Sequence, residues 1–418
     1  MDARLTINGG PNASTAYVGW APVPAQLSLV DPLSPGPVEV TVRNQEPQTG
    51  GRIVFALAGS PSSEPALPVT VPPDGSPVDL LIAGQFGSPS TADGDTAVEV
   101  VRQATGELLV ATRLMVRVRK DADTLTTAER DRFLSALAGL NDRGMGAYSD
   151  YPNIHTSAGS PEAHDNPGFL PWHRAFLLDL ERELQAIDPS VSLHYWRFDE
   201  PGPNVFTRGF MGVPAANGLL QFAATNPLQF WATASLPGIV RRPLFNVATE
   251  PASVSDEATT LALGGSGHRY VGLRDMEGDP HGFAHTSFTG FIRSIGTAAN
   301  DPLFFMLHAN ADRLWAKWQW LHRRFDLTSA STFTPLGAFG SPGAARIGHN
   351  LDDTMWPWNQ VVGGDRPATA PGGNFPPSLL TAAPGPIPTV GALIDYQGVR
   401  TPGSRLGFDY DDVPFEAS

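Results

Sequence analysis

The chain has 418 residues, 42 acidic against 28 basic side chains, and a formal charge of −14. This length predicts more than one domain, and 41 % hydrophobic against 17 % charged residues supplies a core and excludes a solvated, disordered chain. The acidic balance argues against nucleic-acid binding, and the absence of cysteine removes disulfides, thiolate nucleophiles, iron–sulfur clusters and Cys-type zinc sites.

No stretch approaches the ~20 apolar residues of a membrane helix. The N-terminus lacks the basic and apolar regions of a signal peptide. The expectation is a soluble protein without a membrane partner, cytoplasmic or exported by another route.

Residues 1–120 alternate in period two. Segments 26–30, 38–43, 52–57, 67–71, 78–82, 97–102 and 108–120 are rich in Val, Leu and Ile. Turn clusters such as Gln48-Thr49-Gly50-Gly51 and Pro72-Pro73-Asp74-Gly75 separate them. The pattern predicts an antiparallel, immunoglobulin-like β-sandwich. This region contains no histidine, and its role is left open.

The character changes near residue 121, and residues 121–418 are expected to form a second, mainly helical domain. Thr126 and Glu129 have the spacing of a capping box, and Phe133, Leu134, Leu137 and Leu140 follow at helical intervals. A second helix is expected over 174–187, with Phe176, Leu177, Leu180, Leu184 and Ile187 on one side, and a third over 301–324, with Pro302 in its first turn. Long Gly/Pro loops join them.

All ten histidines lie after residue 150. His155, His164 and His173 are spaced nine and nine. His281 and His285 are four apart, which on a helix places both rings on one face, and His308 follows on the third helix. Residue 282 is Gly, not the Glu of an HExxH peptidase. Two sets of three imidazoles without a completing thiolate or carboxylate suit copper best. Asp312, one turn beyond His308, is placed either to orient that imidazole or to pair with Arg174 or Arg313. Phe304 is placed to pack against the imidazoles. His194, His268, His322 and His349 read as structural or surface residues, with His268 in a glycine run that could reach the entrance.

The run His164-Asp-Asn-Pro-Gly-Phe-Leu-Pro-Trp-His173-Arg, the segment Tyr195-Trp196, the run Asp279-Pro280-His281-Gly-Phe-Ala-His285, the run Asn300-Asp301-Pro302-Leu-Phe304-Phe-Met-Leu307-His308 and the element Asp353-Thr-Met-Trp-Pro357 together resemble the tyrosinase/catechol oxidase family of type-3 binuclear copper proteins. The resemblance spans roughly residues 125–410. It implies a copper domain built on a central four-helix bundle with long loops. It also implies two copper ions, held by His155, His164 and His173 and by His281, His285 and His308, with O2 as co-substrate. His155 is the least secure ligand, because its spacing to His164 is short for the family.

Glu277 matches the carboxylate that, in the family, poises a water to deprotonate an incoming phenol. The Asn that normally assists this water is replaced by Gly282. A phenol loses its proton with a pKa of about 10, so a weakened base should penalise monophenols more than catechols. Thr286 and Ile295 occupy the family's entrance positions, and Leu307 stands where relatives often carry His. The resemblance therefore implies oxidation of o-diphenols to o-quinones, with O2 reduced to water and monophenol hydroxylation weaker or absent. The alternatives are an o-aminophenol oxidase using the same site and, in a different class, a haemocyanin-like O2-binding protein. Expected partners are a small phenolic substrate and O2, with room for a copper-delivery protein; the natural phenol and the oligomeric state are not legible.

Overall fold

The structure is a computed structural model that describes residues 2–8, 15–30, 36–60, 62–156, 160–233, 236–244, 254–335, 347–364 and 366–415. Among the described residues the N-terminal part contains nine strands: β1 (Ala3–Ile7), β2 (Ala16–Val18), β3 (Val23–Leu29), β4 (Val38–Asn44), β5 (Ile53–Leu57), β6 (Ala66–Val71), β7 (Val78–Gly84), β8 (Thr96–Arg102) and β9 (Leu108–Val116). They form a four-stranded sheet ordered β1-β3-β7-β5 and a five-stranded sheet ordered β2-β9-β8-β4-β6. Alternation explains their packing. In β3, Val23, Ala25, Leu27 and Leu29 are buried while Pro24 and Gln26 face out. Leu27, Phe55 and Ile82 of one sheet share an apolar cluster with Val40, Val100 and Leu114 of the other, so two sheets enclose one core.

Three differences from the sequence reading have local causes. Strands β1 and β2 went unread; β2 is only three residues long. The sandwich is not wholly antiparallel, since β2 pairs with β9 in parallel. Strand β9 ends at Val116, because residues beyond it leave the sheet for the C-terminal segment: Arg119 N–H donates to the Asp409 carbonyl at 2.8 Å.

The remainder is carried by helices α1 (Thr127–Asn141), α2 (Asp150–Ile154), α3 (Phe169–Ile187) and α4 (Leu303–His322). The capping box is present: Glu129 N–H donates to Thr126 Oγ1 at 3.2 Å and Thr126 N–H to Glu129 Oε2 at 3.0 Å. Helix α3 begins five residues before the expected start, because Pro171 falls in its first turn, where a missing N–H costs nothing. His173 therefore lies inside the helix, not at its mouth. Ile187, expected on the buried side, is the last helical residue and is exposed.

Helix α3 packs against both α1 and α4. In place of a fourth continuous helix, His281 and His285 ride on a broken helical segment. It comprises a 3-10 turn at Arg274–Glu277, a π turn at Gly278–Gly282 and an α turn at Phe283–Thr286. The break is at Asp279, whose backbone is extended (φ −137°, ψ 117°).

A buried polar network ties these parts together. Arg119 donates from Nε and Nη2 to Glu181 of α3 (3.1 and 2.7 Å), and from Nη1 to Asp312 of α4 (3.2 Å) and the Tyr410 hydroxyl (2.8 Å). No helix among the described residues is long and apolar enough to cross a membrane.

Candidate metal centre

His155 caps α2, His173 lies on α3, His308 on α4, and His281 and His285 on the broken segment. Their nitrogens form two buried groups, His155/His164/His173 and His281/His285/His308, with the ligating atoms of each group within 4.8 Å of one another. The groups are adjacent: the His173 and His308 rings stack at 4.3 Å and 15°.

The hydrogen bonds of four of the rings define their tautomers. His155 Nδ1 faces the Ile295 carbonyl at 3.1 Å and His173 Nδ1 the Phe169 carbonyl at 2.9 Å. His281 Nδ1 faces the Glu277 carbonyl at 2.8 Å and His285 Nδ1 the Ile292 carbonyl at 2.7 Å. A carbonyl only accepts, so each of these Nδ1 atoms carries the proton and each Nε2 keeps its lone pair. Two of those bare atoms point at each other, His155 and His173 Nε2 being 3.4 Å apart, and the other two, of His281 and His285, lie 3.2 and 3.1 Å from His308 Nε2. Converging lone pairs repel unless a cation lies among them.

Burial opposes protonation at every one of these rings. His164 and His285 are pushed down to about 4, and His155, His173, His281 and His308 well below the usual imidazole value. Neutral, nitrogen-only, three-donor sets with no thiolate or carboxylate among them fit copper. Phe304 is wedged between the groups, with its ring 4.5 Å from His155 and 4.1 Å from His308.

An open cleft of about 760 Å3 leads to the histidines. Glu277, Gly282, Thr286 and Ile295 all line it, alongside His155, His164, His281 and His285. Glu277 Oε1 accepts the Asp165 backbone N–H at 2.7 Å. Burial pushes its carboxyl up to about 7; the Asp165 amide pulls against that, the Asp165 charge adds to it, and Arg274 offsets it.

The fold and this site define a binuclear type-3 copper protein. The chain belongs to the tyrosinase family. The family model for the common central domain of tyrosinase matches residues 145–321. Tyrosinase from Streptomyces lincolnensis is 30 % identical over 269 residues, covering 58 % of this chain and 92 % of that protein. Grixazone synthase from Streptomyces griseus is 29 % identical over 266 residues, covering 50 % of this chain and 86 % of that protein. Among solved structures, a functional unit of octopus hemocyanin aligns with a TM-score of 0.46 at 18 % identity, over 72 % of this chain and 69 % of its own. The family is that of copper oxidoreductases with a binuclear copper centre, acting on phenolic substrates with O2.

Asp312 does not meet His308. Its carboxylate accepts from Arg174 Nε at 2.6 Å, Arg119 Nη1 at 3.2 Å and the Tyr410 hydroxyl at 2.6 Å, while buried His308 Nδ1 has no hydrogen-bond partner. The ion-pair alternative with Arg174 describes it. Arg313 pairs instead with Glu257 and Asp412.

His194 accepts the Lys120 N–H at 3.2 Å. His268, whose glycine run could have reached the entrance, stacks on His322 at 3.6 Å and does not line the cleft. The sequence reading missed Asp165, Arg274 and Arg293 in the cleft wall. Asp165 directly follows His164 and Arg274 lies one 3-10 turn before Glu277, so adjacency to a named site residue was the available signal.

Proposed function

We propose that the chain oxidises o-diphenols to o-quinones, well ahead of any hydroxylation of monophenols. Two catechols each release two electrons and two protons, and one O2 takes up all four of each to become two waters. His155, His164 and His173 would hold one copper and His281, His285 and His308 the other. When bound, the copper pair supplies redox exchange with O2 and a Lewis-acidic position for a phenolate oxygen.

The chain's own residues bind, orient and handle protons. Four backbone carbonyls hold imidazoles in the tautomer that presents Nε2. The cleft walls at Thr286 and Ile295 admit a small ring. Glu277 is the acceptor for the phenol proton.

One observation carries the diphenol preference. The backbone N–H of Asp165 already occupies Glu277 Oε1, and Gly282, one turn along the same wall, offers no side-chain acceptor to share the work. A monophenol must surrender its only hydroxyl proton there. A catechol has two hydroxyls and needs no oxygen insertion.

Residues 1–120 as an immunoglobulin-like domain and 121–418 as the copper domain, with the broken segment as a distorted fourth helix of its bundle, belong to the same reading. The separate apolar clusters of the two regions support it.

The test is a comparison of initial rates on the copper-loaded protein with 4-methylcatechol, tyrosine and o-aminophenol. The catechol should be fastest and tyrosine slowest. Tyrosine hydroxylated as fast as the catechol, a faster aminophenol, or O2 uptake without quinone would each overturn the proposal.

A further inference from the structure

Another large cavity has no histidine in its lining and shares no lining residue with the copper cleft. It measures about 790 Å3 and lies between the outer face of the β1-β3-β7-β5 sheet and the C-terminal segment 397–405. Its walls are apolar: Pro22 and Pro24 next to and on β3, Val54 on β5, Leu81 on β7, then Phe86 and Pro402. Phe86 is 47 % exposed and meets Trp20 edge-on at 5.6 Å. Among the described residues that line it, none is acidic and Arg405 is the one basic residue.

Two of the lining side chains each have a polar atom that no protein group meets. Gln397 is 1 % exposed; its Nε2 donates to Asp409 Oδ1 at 2.7 Å, and its Oε1 has no partner. Arg405 donates from Nε to the Pro402 carbonyl at 3.2 Å, and its Nη1 has no partner. Leaving such groups unmet is costly. Gln397 asks for a group that donates to an amide oxygen, and Arg405 for one that accepts from a guanidinium.

We propose that this cleft is a binding site for a neutral multi-ring phenol. A phenolic hydroxyl both donates and accepts, so the hydroxyls of one ligand serve Gln397 and Arg405 alike. A carboxylate would satisfy Arg405 alone; it has no proton for Gln397, and Asp409, against which Gln397 is held, would repel it. The apolar walls suit aromatic rings, and their volume is that of a cavity for a ligand of several rings rather than one. Gln85, Ser60, Ser62 and Ser63 on the lining supply neutral partners for further hydroxyls.

The probe is a flavonoid whose hydroxyls are all meta to one another. It has no adjacent pair to oxidise, so binding is read without turnover. Calorimetric titration is run on the copper-loaded protein with azide saturating the copper, and repeated with an aryl carboxylate of equal size. One saturable site per chain is expected for the flavonoid. Arg405→Met should weaken it by about tenfold or more, the loss of one charge-assisted hydrogen bond, and Phe86→Ala should weaken it as well, both with copper content unchanged. If Arg405→Met does not retain copper, Phe86→Ala, at a half-exposed ring, carries the test alone. No saturable binding, binding removed by azide, affinity unchanged in a copper-retaining variant, or tighter binding of the carboxylate would overturn the proposal. None of these outcomes depends on which phenols the copper site oxidises.

Discussion

Asp312 offers the sharpest separation between a residue that orients a ligand and one that holds the fold. Its side chain is 3 % exposed and accepts from Arg174, Arg119 and Tyr410. Asp312→Ala leaves Arg119 with Glu181, which it already grips through Nε and Nη2. Arg174 loses its ion pair altogether. It keeps hydrogen bonds to the Leu393 carbonyl (2.8 Å) and Gln319 Oε1 (3.1 Å) and its place over the Trp315 ring, but its charge is left buried and unneutralised. Removing one partner of a buried pair costs about 3–5 kcal/mol, which at roughly 2–4 °C per kcal/mol lowers the melting temperature by about 10 °C. Asp312→Asn keeps one acceptor oxygen and should cost about half as much. Urea unfolding, read with copper per chain on the same samples, distinguishes the two roles. The ranking Ala below Asn below wild type, with copper retained in the folded fraction, is expected. A stability change under about 1 kcal/mol accompanied by copper loss would show that Asp312 acts on His308, and would refute the ion-pair account.

Gly282→Asn restores a side-chain acceptor beside Glu277 and should raise the monophenol-to-diphenol rate ratio about tenfold, or ~1.4 kcal/mol of barrier. A Cβ here comes 3.2 Å from the Glu277 carbonyl that holds His281, so Gly282→Ala, measured on the same substrates, is the steric control and should leave the ratio unchanged. Phe304→Leu removes the ring packed on His155 and His308; copper release to a chelator should quicken by about tenfold, reflecting ~1–1.5 kcal/mol of lost packing, and an unchanged release rate would exclude that role. Burial raises the Glu257 carboxyl, but Arg313 and Lys317 outweigh it and hold the group down to about 2. A depressed acid stabilises the fold above its unfolded value near 4.5 and loses that contribution as pH falls through 2, so Glu257→Gln should lose roughly 1–2 kcal/mol at pH 7 and show no difference from wild type below pH 2, checked by melting temperature against pH.

The parts of the site that the sequence revealed are those in which chain spacing and spatial spacing coincide. Residues four apart within a helical turn must share a face, so His281 with His285 was legible; the i−4 carbonyl that Phe169 offers His173 was not, because the helix was expected to start only at 174. The carbonyls of Ile292 and Ile295 were not, because irregular backbone carries them to His285 and His155. The start of α3 was misjudged because Gly168 and Pro171 look like a helix boundary, although proline inside the first turn is harmless. Arg119 escaped notice for another reason. It lies in a run that alternates like a strand, and only its pairing beside Tyr410 turns the guanidinium toward α3 and α4. Nothing in local pattern marks a contact made across 291 residues.

On the proposed reading, holding the metal and choosing the substrate fall to different residues. The rings around the histidines are neutral: backbone carbonyls meet four Nδ1 atoms, and Phe304 and His173 flank His308, whose own Nδ1 is unmet. The charged network of Arg119, Arg174, Glu181 and Asp312 bonds within itself, to Tyr410 and Gln319 and to backbone groups of Leu193 and Leu393, and none of these hydrogen bonds goes to one of the six histidines. A nitrogen-only donor set adds no negative charge to the copper pair, so both oxidation states remain accessible to it. The charged groups that face an approaching phenol are then those of the cleft wall: Glu277, Asp165 and Asp275 against Arg274 and Arg293. Substitutions in the network should change how firmly the helices are held without changing which phenols are preferred. Substitutions at Gly282 should do the reverse. Sites with no shared partner combine additively to within about 0.5 kcal/mol, so a double variant of Asp312 and Gly282 should show the stability of one and the selectivity of the other.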